Sequence, residues 1–336
     1  MKRATKPAAS RSSGPAASPT SAPARHRRGI WAAAVVVAGV ALVMFTCLGD
    51  GTQPGSPSAR PATFDGRRAW EDLRRQVSFG PRPPGSPELA RTRAYLIEQL
   101  RASGIEVREQ RFEASTPVGP IEMSNIVATI RGARPERIAL ASHYDTKLAA
   151  NFRFVGADDG GSSTAALLEL GRALSARRNP FTIELLFFDG EEAINWDWDE
   201  QSYDHTYGSR HYVEQAQSDG TLAGLKALIL LDMVGDRDLR FRRETSSTRW
   251  LTDAIWAAAR ELGQAAHFPE EELAIEDDHA AFLHAGVPAV DIIDLDYPYW
   301  HTAQDDLQAV SQDSLQVTGD VVLAALPRIE KHLLQP

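Results

Sequence analysis

Cysteine is almost absent: the 336 residues contain one, Cys47, and it lies inside an uncharged run. The rest of the chain therefore has no disulfide and no thiolate ligand, and it must be held by its core. Acidic residues are missing from the first 29 positions, which carry seven Lys/Arg among Ala, Ser and Pro and read as a disordered basic tail. Beyond that tail 29 Lys/Arg face 45 Asp/Glu, a net of −16, which argues against nucleic acid as a partner. Charge is also missing from residues 30–48. At about 1.5 Å per residue that run reaches about 28 Å, enough to span a bilayer. Arg25, Arg27 and Arg28 precede it and Asp50 lies beyond it, so the basic flank is expected in the cytoplasm and the remainder outside it, periplasmic or extracellular. No small-x-small cleavage pattern precedes residue 49, so the run reads as an uncleaved signal anchor. Internal repeats are absent too.

A linker and then a folding unit come after the anchor. Residues 49–64 are rich in Gly, Pro and Ser and read as a flexible stalk, with order beginning near Phe64. Residues 65–336, from a chain that is 43% hydrophobic and 24% charged, can bury one large core or two small ones. Helical spacing of Trp70, Leu73 and Val77, and of Leu89, Leu96 and Leu100, predicts two helices around the Gly80–Ser86 bend. Strands are expected at 105–113, 125–131, 137–142, 183–188, 226–232 and 288–294. Further helices are expected at 161–177, 207–217, 247–263, 278–285 and 311–334. The alternation predicts an α/β three-layer sandwich with a central mostly parallel or mixed twisted sheet flanked by helices.

The chemistry gathers where these strands stop. Ile183–Phe188 is an apolar run broken by Asp189-Gly190, and Glu191 and Glu192 come at once after it. In open α/β sheets ligands bind outside the carboxyl ends of strands. An isolated Glu-Glu at a loop is ordinarily solvated, but it is not isolated here. Ser142-His143-Tyr144-Asp145 ends another apolar run, with His143 and Asp145 spaced to share a face as a metal ligand and its supporting carboxylate. Asp158 and Asp159 sit in a Gly-rich loop opening a helix, where the default role is an N-cap. Asp232 ends the run Ala227–Leu231, and Glu276-Asp277-Asp278-His279 and Tyr299-Trp300-His301-Thr302 complete the set. Five apolar strands ending in His, Asp or Glu would bring these groups to one rim. Carboxylates mixed with His, and no thiolate, suit zinc with an open position.

Phe188-Asp-Gly-Glu-Glu-Ala193, Tyr207-Gly-Ser-Arg-His211, Glu276-Asp-Asp-His279 and Trp300-His-Thr302 resemble the glutaminyl-peptide cyclotransferases, single-zinc enzymes on the fold of the bacterial zinc aminopeptidases. The resemblance runs from about Val77-Ser-Phe-Gly-Pro-Arg82 to the C-terminus. It implies that residues 65–336 form a zinc-dependent glutaminyl cyclase domain acting on peptides or proteins with N-terminal Gln. It implies one zinc held by Asp159, Glu192 and His301. Glu191 would then be the acid/base, with Asp232 and Asp277 as a carboxylate pair beside it. Trp300 would line the substrate pocket together with a Trp after the Glu pair, where Trp196 and Trp198 fall on either side of the family's spacing.

Chemistry agrees with that reading. A zinc ion polarises a side-chain amide carbonyl, and a positioned carboxylate moves a proton from the attacking amine to departing ammonia. Two other readings remain open at this point. A two-zinc aminopeptidase would add His143 and Asp232 as ligands and make Asp159 a bridge, although a further carboxylate at Asp277 lowers the charge available for a second cation. A non-catalytic binding ectodomain would keep the fold alone.

Overall fold

The computed structural model describes residues 62–195, 198 and 203–335. The basic tail, the apolar run 30–48, most of the linker, and Trp196 lie outside the described residues. Among those described, no helix is long and apolar enough to cross a membrane. Phe64 is buried, and its ring lies where a Cβ on Gly319 would stand, so this residue packs into the core.

Among the described residues eight strands form: β1 (Glu106–Thr116), β2 (Gly119–Ile130), β3 (Arg134–His143), β4 (Phe181–Phe188), β5 (Leu225–Asp232), β6 (Arg243–Glu244), β7 (Glu272–Leu273) and β8 (Ala289–Ile293). Six of them make the main sheet, in the order β1-β2-β4-β3-β5-β8. The β1-β2 hairpin pairs antiparallel, also onto β4, and β4, β3, β5 and β8 run parallel. The mixed sheet expected from the alternation is therefore present. Three of the parallel strands, β4, β3 and β5, bring site residues to one edge, against the five apolar strands expected; Asp159, Asp277 and His301 arrive on loops.

Every residue of β4 is buried, as a near-continuous apolar run requires when helices cover both faces. Ile138 and Leu140 of β3 belong to the larger core, Ala139 and Ala141 to the smaller one on the opposite face. The larger core is covered by α1 (Gly66–Phe79), α2 (Pro87–Ala102), α3 (Ser163–Ser175), α5 (Arg249–Glu261) and α7 (Gln312–Leu333). The smaller is covered by α4 (Tyr207–Ser218) and α6 (His279–His284). Three layers result. Truncating a fully buried leucine at the centre, such as Leu185→Ala, would cost about 2–5 kcal/mol.

Two expectations shift. The second strand begins at Gly119 and not at 125, because residues 119–125 pair only with β1 in the hairpin; there Pro120 and alternating exposure are tolerated. The helix expected over 161–177 begins at Ser163, after a turn in which Asp159 and Gly160 leave the helical conformation.

Candidate metal centre and active site

Three adjacent parallel strands, β4, β3 and β5, deliver their carboxyl ends to one edge. β3 ends at His143 and β5 at Asp232, while β4 turns at Asp189-Gly190 into Glu191 and Glu192. Gly190 has φ +72 and its hydrogen faces the Met123 sulfur, so this turn has no room for a side chain. Asp159 comes from the wide turn before α3, Asp277 from the loop before α6, and His301 from the loop after β8.

Two ligand sets share Asp159. One is Asp159, Glu192 and His301; the other is His143, Asp159 and Asp232; within each, one ligand atom per residue lies within 4.8 Å of the others. In the first, His301 Nε2 stands 3.4 Å from Asp159 Oδ2 and 3.3 Å from Glu192 Oε2. In the second, His143 Nε2 lies 3.1 Å from Asp232 Oδ1 and 3.4 Å from Asp159 Oδ1. Glu191 Oε2 is 3.6 Å from His143 Nδ1.

The donor set fits a cation. Asp159 Oδ2 and Glu192 Oε1 are buried with no hydrogen-bond donor among the described residues, a costly state for a carboxylate oxygen. Burial disfavours a charged His301, yet Glu192 and Asp159 outweigh it and push the imidazole up to about 10. A proton on His301 thus supplies the positive charge that these carboxylates demand. One carboxylate pair plus an imidazole, with an open side, is a zinc donor set.

Loop-borne groups hold the ligands in place. Asp145 accepts from the backbone N–H of Glu191 at 3.2 Å and of Glu192 at 3.3 Å, and its Oδ1 lies 3.5 Å from His143 Nδ1. Asp305 accepts from the N–H of Asp158 at 2.7 Å and of Asp159 at 3.3 Å, and from the Tyr297 hydroxyl at 2.8 Å. It therefore ties the Asp159 turn to the loop bearing His301. Arg82, fully buried, donates to the carbonyls of Val155 at 2.7 Å and Gly156 at 3.0 Å, fixing the approach to that turn. A Cβ on Gly160, at φ +72, would strike the His143 ring, so only glycine permits this close approach.

Burial is the main electrostatic cause at Glu191. It raises the carboxyl well above its ordinary value; His143 opposes the shift, and Glu192 and Asp277 add to it. Asp277 is pushed up to about 7 by burial and then by Asp232. At Asp159 burial acts upward too, but His143 and His301 prevail and hold it below the carboxylate range.

A cavity of about 230 Å³ opens onto the first ligand set. Asp159, Glu191, Glu192, His301, Asp232 and Asp277 all line it, so the expected catalytic and metal residues meet in one place. Trp198 and Trp300 form part of its wall. Trp198 stacks on His205 with centroids 3.9 Å apart, and Trp300 stacks on His301 at 4.2 Å. His143 lies buried beneath. Other expectations are corrected: Asp158 caps no helix but accepts from Gly235 N–H at 2.7 Å, and His279 turns away to Ser246 and Glu244. His211 stacks on Phe112 at the β1 side. Asp305 and Arg82 were not anticipated, since a loop acceptor or donor of backbone groups leaves no periodic signal in sequence.

The profile of Peptidase family M28 matches residues 125–326. A glutaminyl-peptide cyclotransferase-like protein from Bos taurus is 33% identical over 72% of this chain and 70% of its own length. The crystal structure of an Acidobacteriales bacterium glutaminyl cyclase superposes with a TM-score of 0.78 and 39% identity, covering 83% of this chain and 99% of that one. A zinc-dependent exopeptidase from Parabacteroides distasonis superposes at 0.73 with 26% identity, over 79% and 99%. Fold and relatives agree, and the chain belongs to peptidase family M28, among its glutaminyl-peptide cyclotransferases.

Proposed function

We propose that this chain cyclises N-terminal glutaminyl residues of peptides or proteins to pyroglutamate with release of ammonia. The observation that carries the reading is the Asp159, Glu192 and His301 set opening into a cavity that also holds buried Glu191 and two tryptophan walls. Asp159, Glu192 and His301 would hold one zinc, which when bound supplies Lewis-acid polarisation of the Gln side-chain carbonyl. A single ion is supported by the second ligand set, where His143 Nε2 already meets Asp232 Oδ1 in a hydrogen bond.

Glu191 takes a proton from the α-amine as its nitrogen bonds to the side-chain carbonyl carbon. It then returns that proton to the amide nitrogen as the carbon–nitrogen bond breaks, so ammonia leaves and no water is consumed. Nucleophile and electrophile belong to one residue, so the pocket has chiefly to fold the side chain back onto its own amine. Trp198 and Trp300 supply faces for that fold. Burial suits Glu191 to its task, because raising the carboxyl strengthens its hold on the proton it takes from the amine.

The His143, Asp159 and Asp232 set is what a two-zinc aminopeptidase would use in addition. Incubation with Gln-initiated and Leu-initiated dipeptide amides separates the two readings. Ammonia from the Gln substrate alone is expected; free Leu from the other substrate would overturn cyclisation as the activity.

The uncharged run 30–48, with Arg25, Arg27 and Arg28 before it, supports a single membrane anchor with the enzyme outside the cytoplasm. The full chain should then resist carbonate extraction from membranes, whereas a chain beginning at Arg60 should be soluble and equally active. Full-length protein in the soluble fraction would sink the anchor.

A further inference from the structure

Lys147 is 1% exposed, and its Nζ stands 3.6 Å from Glu192 Oε2. That is the oxygen His301 Nε2 approaches at 3.3 Å. Glu192 and His301 line the metal-site cavity and Lys147 does not, so its charge reaches the ligand from within the protein. The loop after β3 builds this position. Asp145 accepts the Glu192 N–H at 3.3 Å. Thr146 is pinned to Arg82 twice, its N–H donating to the Arg82 carbonyl at 3.1 Å and its hydroxyl accepting the Arg82 N–H at 2.8 Å. Lys147 then meets the Glu192 side chain, so one short segment grips both the backbone and the charge of a single ligand.

An ammonium group has no lone pair, so Lys147 cannot join the ligand set; it acts on the set through Glu192. In a buried site a charge at this distance counts for far more than in water. While the site is empty, the lysine offsets one of two carboxylates, Asp159 and Glu192, that are buried side by side. When zinc is bound, two cations draw on one carboxylate and repel each other. We infer that Lys147 is a built-in counter-charge of the metal centre, which steadies the empty site and loosens its hold on zinc. The role presupposes that Asp159, Glu192 and His301 hold zinc, as proposed above. Lys147 is a positioning residue and not a catalytic one. Its removal should tighten zinc, the reverse of losing a group that supports a metal ligand.

Lys147→Met and Lys147→Gln keep most of the side chain's bulk and remove its charge. In full-length protein, chelator competition should show both variants binding zinc about tenfold more tightly than wild type. Melting of zinc-stripped and zinc-loaded protein is the second measurement. The stripped variants should melt earlier than stripped wild type and the loaded ones should fall by less, so zinc raises the melting temperature further in the variants. A stripped variant that is unfolded but becomes native with zinc shows the same widening at its limit. A lysine that only fills space would lower both forms alike. Equal falls, zinc bound no more tightly than by wild type, or variants that stay unfolded with zinc present each overturn the role while the ligand set stands. If wild-type protein takes up no zinc, the ligand set fails and Lys147 with it.

Discussion

The two ligand sets that share Asp159 are built from the same kinds of group and differ in how they are closed. Buried His143 meets cavity-lining Asp232 at 3.1 Å, and Asp232 also accepts from Met233 N–H at 2.8 Å. On the other side, Glu192 keeps a buried oxygen without a donor among the described residues, and His301 reaches in from a loop that is partly open to the cavity. A carboxylate oxygen without a donor, such as Glu192 Oε1, gains more from a metal ion than one already hydrogen-bonded, as Asp232 Oδ1 is, although His143 Nδ1 too lies buried without a partner among the described residues. Metal count is therefore expected to follow the internal bonding of each set and not ligand identity alone.

That contrast can be broken most severely at the open set. Glu192→Gln or His301→Ala should strip zinc and take ammonia release to background, with metal content read by elemental analysis; full occupancy in either variant would show that the ion sits elsewhere. Glu191→Gln comes next. Zinc should stay near one per chain while turnover falls roughly 10²–10⁴-fold, the usual worth of a positioned acid/base. Retained turnover on a Gln peptide would remove Glu191 from the mechanism. Asp305→Asn should then weaken zinc about 10–100-fold, the scale seen when a group supporting metal ligands is altered, and Tyr297→Phe should weaken it less. Chelator competition measures both, and unchanged affinity in both would make the Asp305 tether dispensable. The smallest expected effect sharpens the comparison itself: His143→Ala should leave zinc content near one per chain. A fall from two ions to one would establish the closed set as a second metal site.

Legibility in the sequence tracked the physics of each part. The buried parallel strands could be read because burial on both faces demands apolar runs, and Ile183–Phe188 obeys that demand apart from Glu184. The ligands were readable because each of the strand-borne ones stands where such a run stops. Asp145 combines both cases: its spacing from His143 was visible, but its hold on the N–H groups of Glu191 and Glu192 was not. Arg82 and Asp305 act on backbone groups of distant loops, and only the folded chain brings those loops to them. Asp158 misled because an acid before a helix ordinarily caps it, whereas the left-handed Gly160 opens the turn and sends that carboxylate to Gly235. Pro120 hid the first half of β2, since proline in a strand is unremarkable only where the neighbour makes no demand on its missing N–H.

His301 adopts φ +52, a left-handed backbone that costs a residue with a Cβ on the order of 1–3 kcal/mol. Glycine would relax there, and asparagine nearly so, but glycine offers no ligand and an amide offers a poor one. Thermal tolerance and metal capture thus pull on one codon in opposite directions. A library selected only for survival of heating, with no demand for turnover, should drift toward glycine at 301 and yield sturdier proteins that have lost their chemistry.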